Sequence, residues 1–369
     1  MWESVKRFVK KETVFCIAAC CAVLTMFWIP PDIEYVHYID FRVLCLLFCL
    51  MAVVAGFKFV GAFEWMTYQL LRRIHSRRVL AVTLVLLPFF SSMLVTNDVA
   101  LLVFVPFTLG LLVQLRCCRH IVPILVLQTV AANLGSMATP VGNPQNLYLY
   151  SYYSLSAGEF FAVTLPLTAV SFLLLVGVSY FCLPKTLPER NFDRAEITNG
   201  KELMVYGALF FVCLLTVFRI VPYQIVTIVV FTVIIFTNKE LLRDVDGMLL
   251  ATFVCFFVIS ENLGRIDSIR IFLQQLLGRN TLLTAVGASQ VISNVPAAVL
   301  LSGFTDRWRD LLAGVNIGGL GTPIASLASL ITLKLYLCWP NAKIGRFLGV
   351  FTFVNIAGLV ILLLFYFVM

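Results

Sequence analysis

Long runs of apolar residues dominate the hydrophobic pattern of this chain, and short polar connections separate them. Several runs approach or exceed the roughly 20 residues with which an α-helix crosses a hydrocarbon layer about 30 Å thick, and they are too long for the core helices of a water-soluble domain. We therefore predict an all-α polytopic membrane protein. The runs lie at residues 13–29, 43–56, 160–183, 203–218, 221–236 and 347–369.

Two further apolar stretches do not fit a simple membrane span. The first is apolar for about 35 residues, but Ser91-Ser92 and Thr96-Asn97-Asp98 interrupt its middle. A single helix of that length would be ~52 Å long, which exceeds the bilayer. We predict a re-entrant hairpin at about 79–113 with Thr96-Asn97-Asp98 at its tip. Residues 280–304 show the same plan, with Ser293-Asn294-Val295 at the tip.

Each predicted hairpin is followed by an apolar segment that Gly and Pro residues interrupt. Residues 120–150 contain the run from Asn133 to Asn146, and residues 310–338 contain the run from Asn316 to Ser326. The Pro and Gly residues of these runs cannot continue an α-helix. Non-helical backbone at membrane depth is tolerated only where it is buried in protein or lines a watery cavity. We therefore predict two broken transmembrane helices.

The interrupted segments occur twice in the same order. A shift of 183 residues lays residues 133–147 on 316–330 without a gap, and five of the fifteen positions are identical. A shift of 197 residues lays Thr96-Asn97 on Ser293-Asn294, and Asp40 and Asp246 open corresponding spans. Interrupted helices at matching positions of two repeats indicate the substrate site of a transporter. We predict repeat 1 at 1–184, a cytoplasmic linker at 185–202 and repeat 2 at 203–369.

Composition and charge agree with a membrane protein. Apolar residues make up 61% of the chain and charged residues 12%, about half the charged share of a soluble protein. The net charge of +8 is concentrated in short loops and forms no basic-aromatic stripe, so we expect a lipid bilayer as partner and no nucleic acid. The chain has no nucleotide-binding Gly-Lys-Ser/Thr loop and no evident nucleophile–base pair, so we expect no enzyme activity.

The loop charges also predict an orientation. If the hairpins do not cross, equivalent spans 13–29 and 222–238 are five crossings apart, and an odd number makes the repeats inverted. With the N-terminus in the cytoplasm, 20 Lys and Arg residues lie on or near cytoplasmic segments and 7 outside, as the positive-inside rule requires. The C-terminus then lies outside. The predicted crossings are residues 13–29, 42–58, 120–150, 159–183, 203–219, 222–238, 247–262, 310–338 and 346–368.

The tips and breaks resemble those of the ion transporter superfamily, which includes arsenite-efflux permeases, citrate and dicarboxylate symporters, and certain sodium/proton antiporters. Residues 317–330 are most similar to the second half of arsenite permeases, and residues 96–106 and 142–147 to short uncharacterised anion permeases. In the sodium–dicarboxylate branch, each tip reads Ser-Asn-Thr and coordinates sodium and substrate carboxylates with the broken helix. Asp98 and Val295 replace the third hydroxyl here, which argues against a dicarboxylate substrate.

The resemblance and the chemistry of helix ends together suggest the site. A helix start offers free N–H groups and partial positive charge to an anion, and a helix end offers carbonyl groups to sodium. The alternative is that the polar side chains only cap broken helices. Sodium, the one candidate cofactor, is expected at Asn97, Asp98 and Gly135 and at Ser293, Asn294 and Gly318. The candidate substrate- and ion-binding residues are Thr96, Asn97, Asp98, Asn133, Gly135, Thr139, Asn143, Asn146, Ser293, Asn294, Asn316, Gly318, Thr322 and Ser326.

Asp98 is the acidic residue placed deep in an apolar stretch beside a predicted break. An intramembrane carboxylate is by default a functional-site hypothesis. It would ligate sodium or carry a proton, and the alternative is an N-cap of the helix that begins near Val99. Its match in the second repeat is Val295 or Pro296, so the two halves should differ chemically.

These observations lead to one main functional hypothesis and several alternatives. We expect a secondary active transporter that moves a small anion, either a carboxylate or an inorganic oxyanion, across the cytoplasmic membrane with a sodium or proton gradient. The alternatives are an arsenite efflux permease, alone or as the membrane subunit of an ATP-driven pump, a channel, and a sodium/proton antiporter. A homodimer is left open.

Overall fold

The computed structural model describes residues 8, 12–71, 74, 76–182 and 197–369. Within these ranges all regular elements are helical, with short 3-10 turns at Cys118–His120 and Lys239–Arg243. The α-helices are α1 Thr13–Met26, α2 Tyr35–Tyr38, α3 Phe41–Phe59, α4 Ala62–Leu71, α5 Arg77–Ser91, α6 Asn97–Gln114, α7 Ile121–Ser136, α8 Pro144–Tyr152, α9 Ala157–Tyr180, α10 Gly200–Val217, α11 Tyr223–Asn238, α12 Gly247–Gly264, α13 Asp267–Arg279, α14 Thr281–Ile292, α15 Asn294–Ser302, α16 Trp308–Ile317, α17 Leu327–Leu337 and α18 Ile344–Val368.

The helices have the lengths and surfaces of a membrane protein. Eight helical segments of the described chain are long and apolar enough to cross a bilayer, so the predicted all-α polytopic membrane protein is confirmed. In the most apolar part of α11 and of α18, only 22% of the residues are buried inside the protein, whereas 78% are buried in the segment that contains α7. An exposed surface this apolar is stable only in contact with lipid. The outer helices therefore face the hydrocarbon, and α7 forms the centre.

The packing joins the two halves of the chain. Helix α7 contacts α5, α6, α9, α17 and α18, while α3 packs against α10 and α11, and α12 packs against α1. Gly56 of α3 permits one close approach, since a Cβ there would lie 2.6 Å from the Tyr206 ring of α10. Asp40 and Asp246 cap α3 and α12 by accepting the N–H groups of Val43 and Leu249. These caps occupy the corresponding span starts named from the sequence.

The stretches predicted as hairpins each contain two helices. Helices α5 and α6 are separated by residues 92–96, and α14 and α15 meet at Ser293, whose φ is +73°. Helix α6 has 18 residues and is by itself long enough for a span, so the re-entrant path stays a prediction. Two helices that sequence reasoning missed, α4 and α13, precede the two stretches. In α13 the apolar positions Ile269, Phe272 and Leu276 recur at helical spacing, a signal that predicts an amphipathic helix.

Candidate functional site

The two broken helices end and restart at the Gly- and Pro-rich runs. Helix α7 ends at Ser136 and α8 begins at Pro144, while α16 ends at Ile317 and α17 begins at Leu327. The Asn143 side chain caps α8 by accepting the N–H of Asn146. Pro144 occupies the first helical position, where a missing N–H removes no helical hydrogen bond. The local sequence thus explains where the helix restarts.

The tip of each hairpin stretch is bonded to the break of its own half. The backbone N–H of Asn97 donates to the Gly142 carbonyl at 3.3 Å, and the N–H of Asn294 donates to the Ala325 carbonyl at 3.0 Å. Asn97 and Asn294 match under the shift of 197 residues, and Gly142 and Ala325 match under the shift of 183. The same hydrogen bond therefore occurs at equivalent places in both halves.

A second equivalent pair of hydrogen bonds joins each break to the part of the hairpin stretch that precedes its tip. The Thr139 hydroxyl donates to the Met93 carbonyl, and the Thr322 hydroxyl donates to the Gln290 carbonyl at 3.1 Å. The threonines match under one shift and their acceptors under the other. These two predicted site residues thus fasten the loops of the breaks to the hairpin stretches.

Gly135 and Gly318 permit each broken helix to lie close to the part of the hairpin stretch that precedes the tip. A Cβ on Gly135 would lie 2.1 Å from the Phe89 carbonyl oxygen and 2.8 Å from Ser92 Oγ. A Cβ on Gly318 would lie 2.8 Å from Ser289 Oγ. Ser92 and Ser289 also match under the shift of 197 residues. Sequence reasoning placed both glycines in the candidate site, whereas it named Ser92 only as a polar interruption and did not name Ser289.

The two breaks exchange hydrogen bonds across the centre of the molecule. Asn143 Nδ2 donates to Asn316 Oδ1 at 3.4 Å, and Ser326 Oγ donates to Asn133 Oδ1 at 2.9 Å. Asn143 and Ser326 match under the shift of 183 residues, as do Asn133 and Asn316. Each half therefore gives the other the same contact, which is the arrangement expected around an approximate two-fold axis.

Further amide contacts complete this central network. Asn97 Nδ2 donates to Asn133 Oδ1 at 2.9 Å, so the first tip joins the same acceptor as Ser326. Asn316 Nδ2 donates to Asn146 Oδ1 at 2.7 Å. The second tip approaches through Asn294, because a Cβ on Gly319 would lie 2.9 Å from Asn294 Nδ2. Ser136 joins the two sets of contacts, because Asn143 Nδ2 donates to Ser136 Oγ at 3.1 Å and Ser136 Oγ donates to the Asn133 carbonyl at 3.0 Å. The starts of α6, α8 and α17 are thus connected through buried neutral groups, and the start of α15 is bonded to the second break through the Asn294 N–H.

The predicted site residues differ in how close they come to this network. Thr139 and Thr322 bond instead to the carbonyl groups of Met93 and Gln290, and Thr322 is exposed. Thr96 occupies the cap position of α6, but its side chain makes no capping hydrogen bond. Ser293 Oγ donates to the Ala325 carbonyl at 3.3 Å. The predicted residues that make side-chain contacts in the centre are Asn97, Asn133, Asn143, Asn146, Asn316 and Ser326.

Asp98 lies in the first turn of α6, one residue past its start. Its backbone N–H donates to the Asn97 side chain at 3.0 Å. Its Oδ1 atom is buried and has no hydrogen-bond partner among the described residues. The helix begins at Asn97 with Thr96 in the cap position, so the alternative role of Asp98 as the N-cap residue is wrong.

Gln290 is another residue beside the candidate site that sequence reasoning missed. Its Nε2 group donates to the carbonyl oxygens of Gly318 and Leu320, both at 2.9 Å, and its Oε1 accepts the Thr322 N–H at 2.8 Å. The signal was a carboxamide side chain near the end of an otherwise largely apolar helix, three residues before the tip.

Several known proteins are similar in sequence to this chain. The profile of a family described as citrate transporter matches residues 1–305. An uncharacterised transporter of Methanocaldococcus jannaschii is 32% identical over 341 residues, 92% of this chain and 93% of that protein. The inner membrane protein YbiR of Escherichia coli is 30% identical over 305 residues, 80% of each chain. A silicon efflux transporter of Oryza sativa is 34% identical over 128 residues, 35% of this chain and 26% of that protein.

Proposed function

Since the chain belongs to the citrate transporter family, we propose that this integral membrane transporter is a secondary carrier of a small anion. The proposed substrate is a carboxylate or an inorganic oxyanion, and the proposed driving force is a sodium or proton gradient across the cytoplasmic membrane. Family membership supports transport as such. The identity of the substrate and the coupling are argued from the site.

The observation that carries the anion proposal is that the starts of α6, α8 and α17 meet in one buried network, with the start of α15 bonded to the break beside it. The first turns of these four helices carry a partial positive charge, and an anion would bind the N–H groups other than those of Asn97, Asp98, Asn146 and Asn294, which are bonded within the protein. The side chains of the network are neutral amides and hydroxyls. Such groups bind an anion without placing a second charge in the membrane interior. We place the substrate between the tips at Asn97 and Asn294.

The coupling proposal rests on Asp98. A buried carboxylate oxygen without a partner among the described residues carries a large desolvation penalty if it stays ionised alone. A bound sodium ion or a proton removes that penalty. Binding of either would therefore be linked to the state of the neighbouring tip, because the Asp98 N–H is bonded to the Asn97 side chain. We propose that ion binding at Asp98 shifts the first turn of α6 and thereby acts on the Asn97 side chain.

A second candidate substrate is a weakly acidic metalloid oxyacid such as arsenous or silicic acid. The rice relative that shares 128 residues is named a silicon efflux transporter. Neutral amide and hydroxyl groups would bind the hydroxyls of an uncharged acid by donating and accepting hydrogen bonds. Proton antiport through Asp98 would then drive efflux.

Reconstitution of the purified chain in proteoliposomes tests these proposals. Uptake of radiolabelled citrate, arsenite and silicic acid would be measured under an imposed sodium gradient, a proton gradient, or neither. We expect uphill uptake of at least one of them, and loss of that uptake when an ionophore collapses the gradient. Uptake that is indifferent to the gradients would indicate a channel, and uptake that requires ATP with a soluble partner would indicate a pump. Sodium-driven pH changes without these solutes would indicate an antiporter.

A further inference from the structure

The side chain of Gln290 occupies a position that resembles a cation site. Its Nε2 group faces three carbonyl oxygens, those of Gly318 and Leu320 at 2.9 Å and that of Val286 at 3.3 Å. Gly318 and Leu320 belong to the break that follows α16. Carbonyl oxygens that converge at the end of a broken helix are typical ligands of sodium. Here the Gln290 amide N–H groups occupy the space between the three carbonyl oxygens, where a cation would otherwise bind.

The backbone of this break is shaped around the carboxamide. Gln290 Oε1 accepts the N–H of Thr322 at 2.8 Å, so both ends of the amide are satisfied. Gly321 has a φ of +113°, and a Cβ there would lie 2.2 Å from Gln290 Oε1. A residue other than glycine would be strained by this φ and would collide with the amide. The close fit indicates that the carboxamide is a built-in part of the break.

The first half has the reverse chemistry at the matched positions. Under the shift of 197 residues, Gln290 corresponds to Met93 and Val295 corresponds to Asp98. A thioether has no N–H to donate. The first half instead contributes a carboxylate oxygen that is buried and unpartnered within the described residues. One half thus needs a cation, and the other carries its own donor.

We propose that the Gln290 carboxamide takes the place of a cation in the second break, so that the coupling ion is bound by the Asp98 half alone. Of the two matched positions, only Asp98 would then bind a cation or proton in each transport cycle. The inference rests on the proposed function for the coupling itself. The substitution of an ion by an amide is a separate property that can be measured without substrate.

The test uses the Gln290→Glu substitution in an Asp98→Asn background. Glutamate has nearly the same shape, but its carboxylate oxygen would face the same carbonyl oxygens and would need a cation there. The full-length protein is purified in detergent, and its melting temperature is compared in the chlorides of sodium, lithium, potassium and choline at one ionic strength. We expect Asp98→Asn to show no preference among the salts. We expect the double variant to melt about 3 °C or more higher in sodium or lithium than in choline.

Gln128→Glu in the same background is the matched control. Gln128 is buried in α7, and its Nε2 donates to one carbonyl, that of Leu84, at 2.7 Å and to the Thr108 hydroxyl at 2.8 Å. This substitution should lower the melting temperature equally in all salts. The inference is overturned if the Asp98→Asn protein melts at a higher temperature in sodium than in choline. It is also overturned if no cation raises the melting temperature of the double variant above that in choline. Since this assay contains neither substrate nor gradient, its failure is distinct from a failure of gradient-driven uptake.

Discussion

At the hairpin tips, the two halves of the chain differ in whether they carry an ionisable side chain. Asp98 and Val295 occupy matched positions, yet one side chain is ionisable and the other is apolar. A buried carboxylate oxygen left bare carries a penalty on the order of several kcal/mol, so we expect Asp98 to pair with a cation or to take up a proton. Sequence reasoning identified the residue, and the structure adds that its Oδ1 atom is buried and has no partner in the described part of the chain.

We predict that Asp98→Asn folds normally and that its uptake loses dependence on the sodium or proton gradient. Asparagine keeps the shape of the side chain but cannot ionise. Exchange of the substrate down its own gradient should persist. The measurement compares gradient-driven uptake with counterflow in proteoliposomes. Uphill uptake with an unchanged ion dependence would place the coupling site elsewhere.

We predict that Gly135→Ala lowers the stability by about 1–3 kcal/mol, because the new Cβ would collide with the Phe89 carbonyl and separate α7 from α5. Gly110→Ala in α6 is the control, since nothing lies within 4 Å of a Cβ there. Its helix should be unchanged or stabilised by up to ~1 kcal/mol. Thermal unfolding in detergent checks both. Equal melting temperatures for the two variants would contradict the close contact.

At the scale of elements, the candidate site consists of helix ends rather than of side chains on intact helices. The tips contact the breaks through the backbone N–H groups of Asn97 and Asn294, and the breaks contact each other through Asn143 and Ser326. A helix end buried without partners would be unstable, so each end needs the other's polar groups. Capping and binding are therefore compatible roles for the same residues.

We predict that Asn97→Ala and Asn294→Ala each abolish uptake, while the folded protein still reaches the membrane. Each substitution removes an amide that can both donate and accept a hydrogen bond at a tip. Asn355→Ala is the control, because Asn355 is equally buried but its amide donates within its own helix, to the Phe351 carbonyl. Uptake is measured per amount of protein in the membrane. Wild-type uptake by both tip variants would reduce these residues to caps.

At the scale of the whole molecule, the equivalent hydrogen bonds agree with the predicted repeats. The tips match under one shift and the breaks under another, and the cross-contacts of Asn133 with Ser326 and of Asn316 with Asn143 are reciprocal. The orientation in the membrane stays a prediction from loop charges. Of the predicted cytoplasmic linker 185–202, residues 185–196 lie outside the described residues.

We predict that the linker is cytoplasmic and that the C-terminus faces outward, because five predicted crossings separate them. In a Cys-depleted background, Thr186→Cys and Met369→Cys would be exposed to a membrane-impermeant maleimide in intact cells. We expect the second variant to react, and the first to react only after the membrane is permeabilised. Reaction of both from the same side would contradict the inverted repeats.

Local sequence determined the helices, the places where they break and most of the side chains in the centre. Apolar runs longer than a soluble core requires can only be membrane helices, and Pro144 and the neighbouring glycines cannot continue a helix. These properties depend on the residues and their near neighbours, so they can be predicted from sequence. The ionisable tip and the matched asparagines were visible for the same reason.

Tertiary structure alone decided which of these residues meet. Ser326 reaches Asn133, 193 residues away, and Gln290 bonds to a break that begins 28 residues later. Helices α4 and α13 are a different case, because they are short and the helical spacing of apolar residues in α13 is visible in the local sequence. Such contacts depend on how the two halves pack around a common centre, because a hydrogen bond between distant residues is set by the positions of whole helices. The pattern of apolar and polar residues along the chain carries no record of those positions.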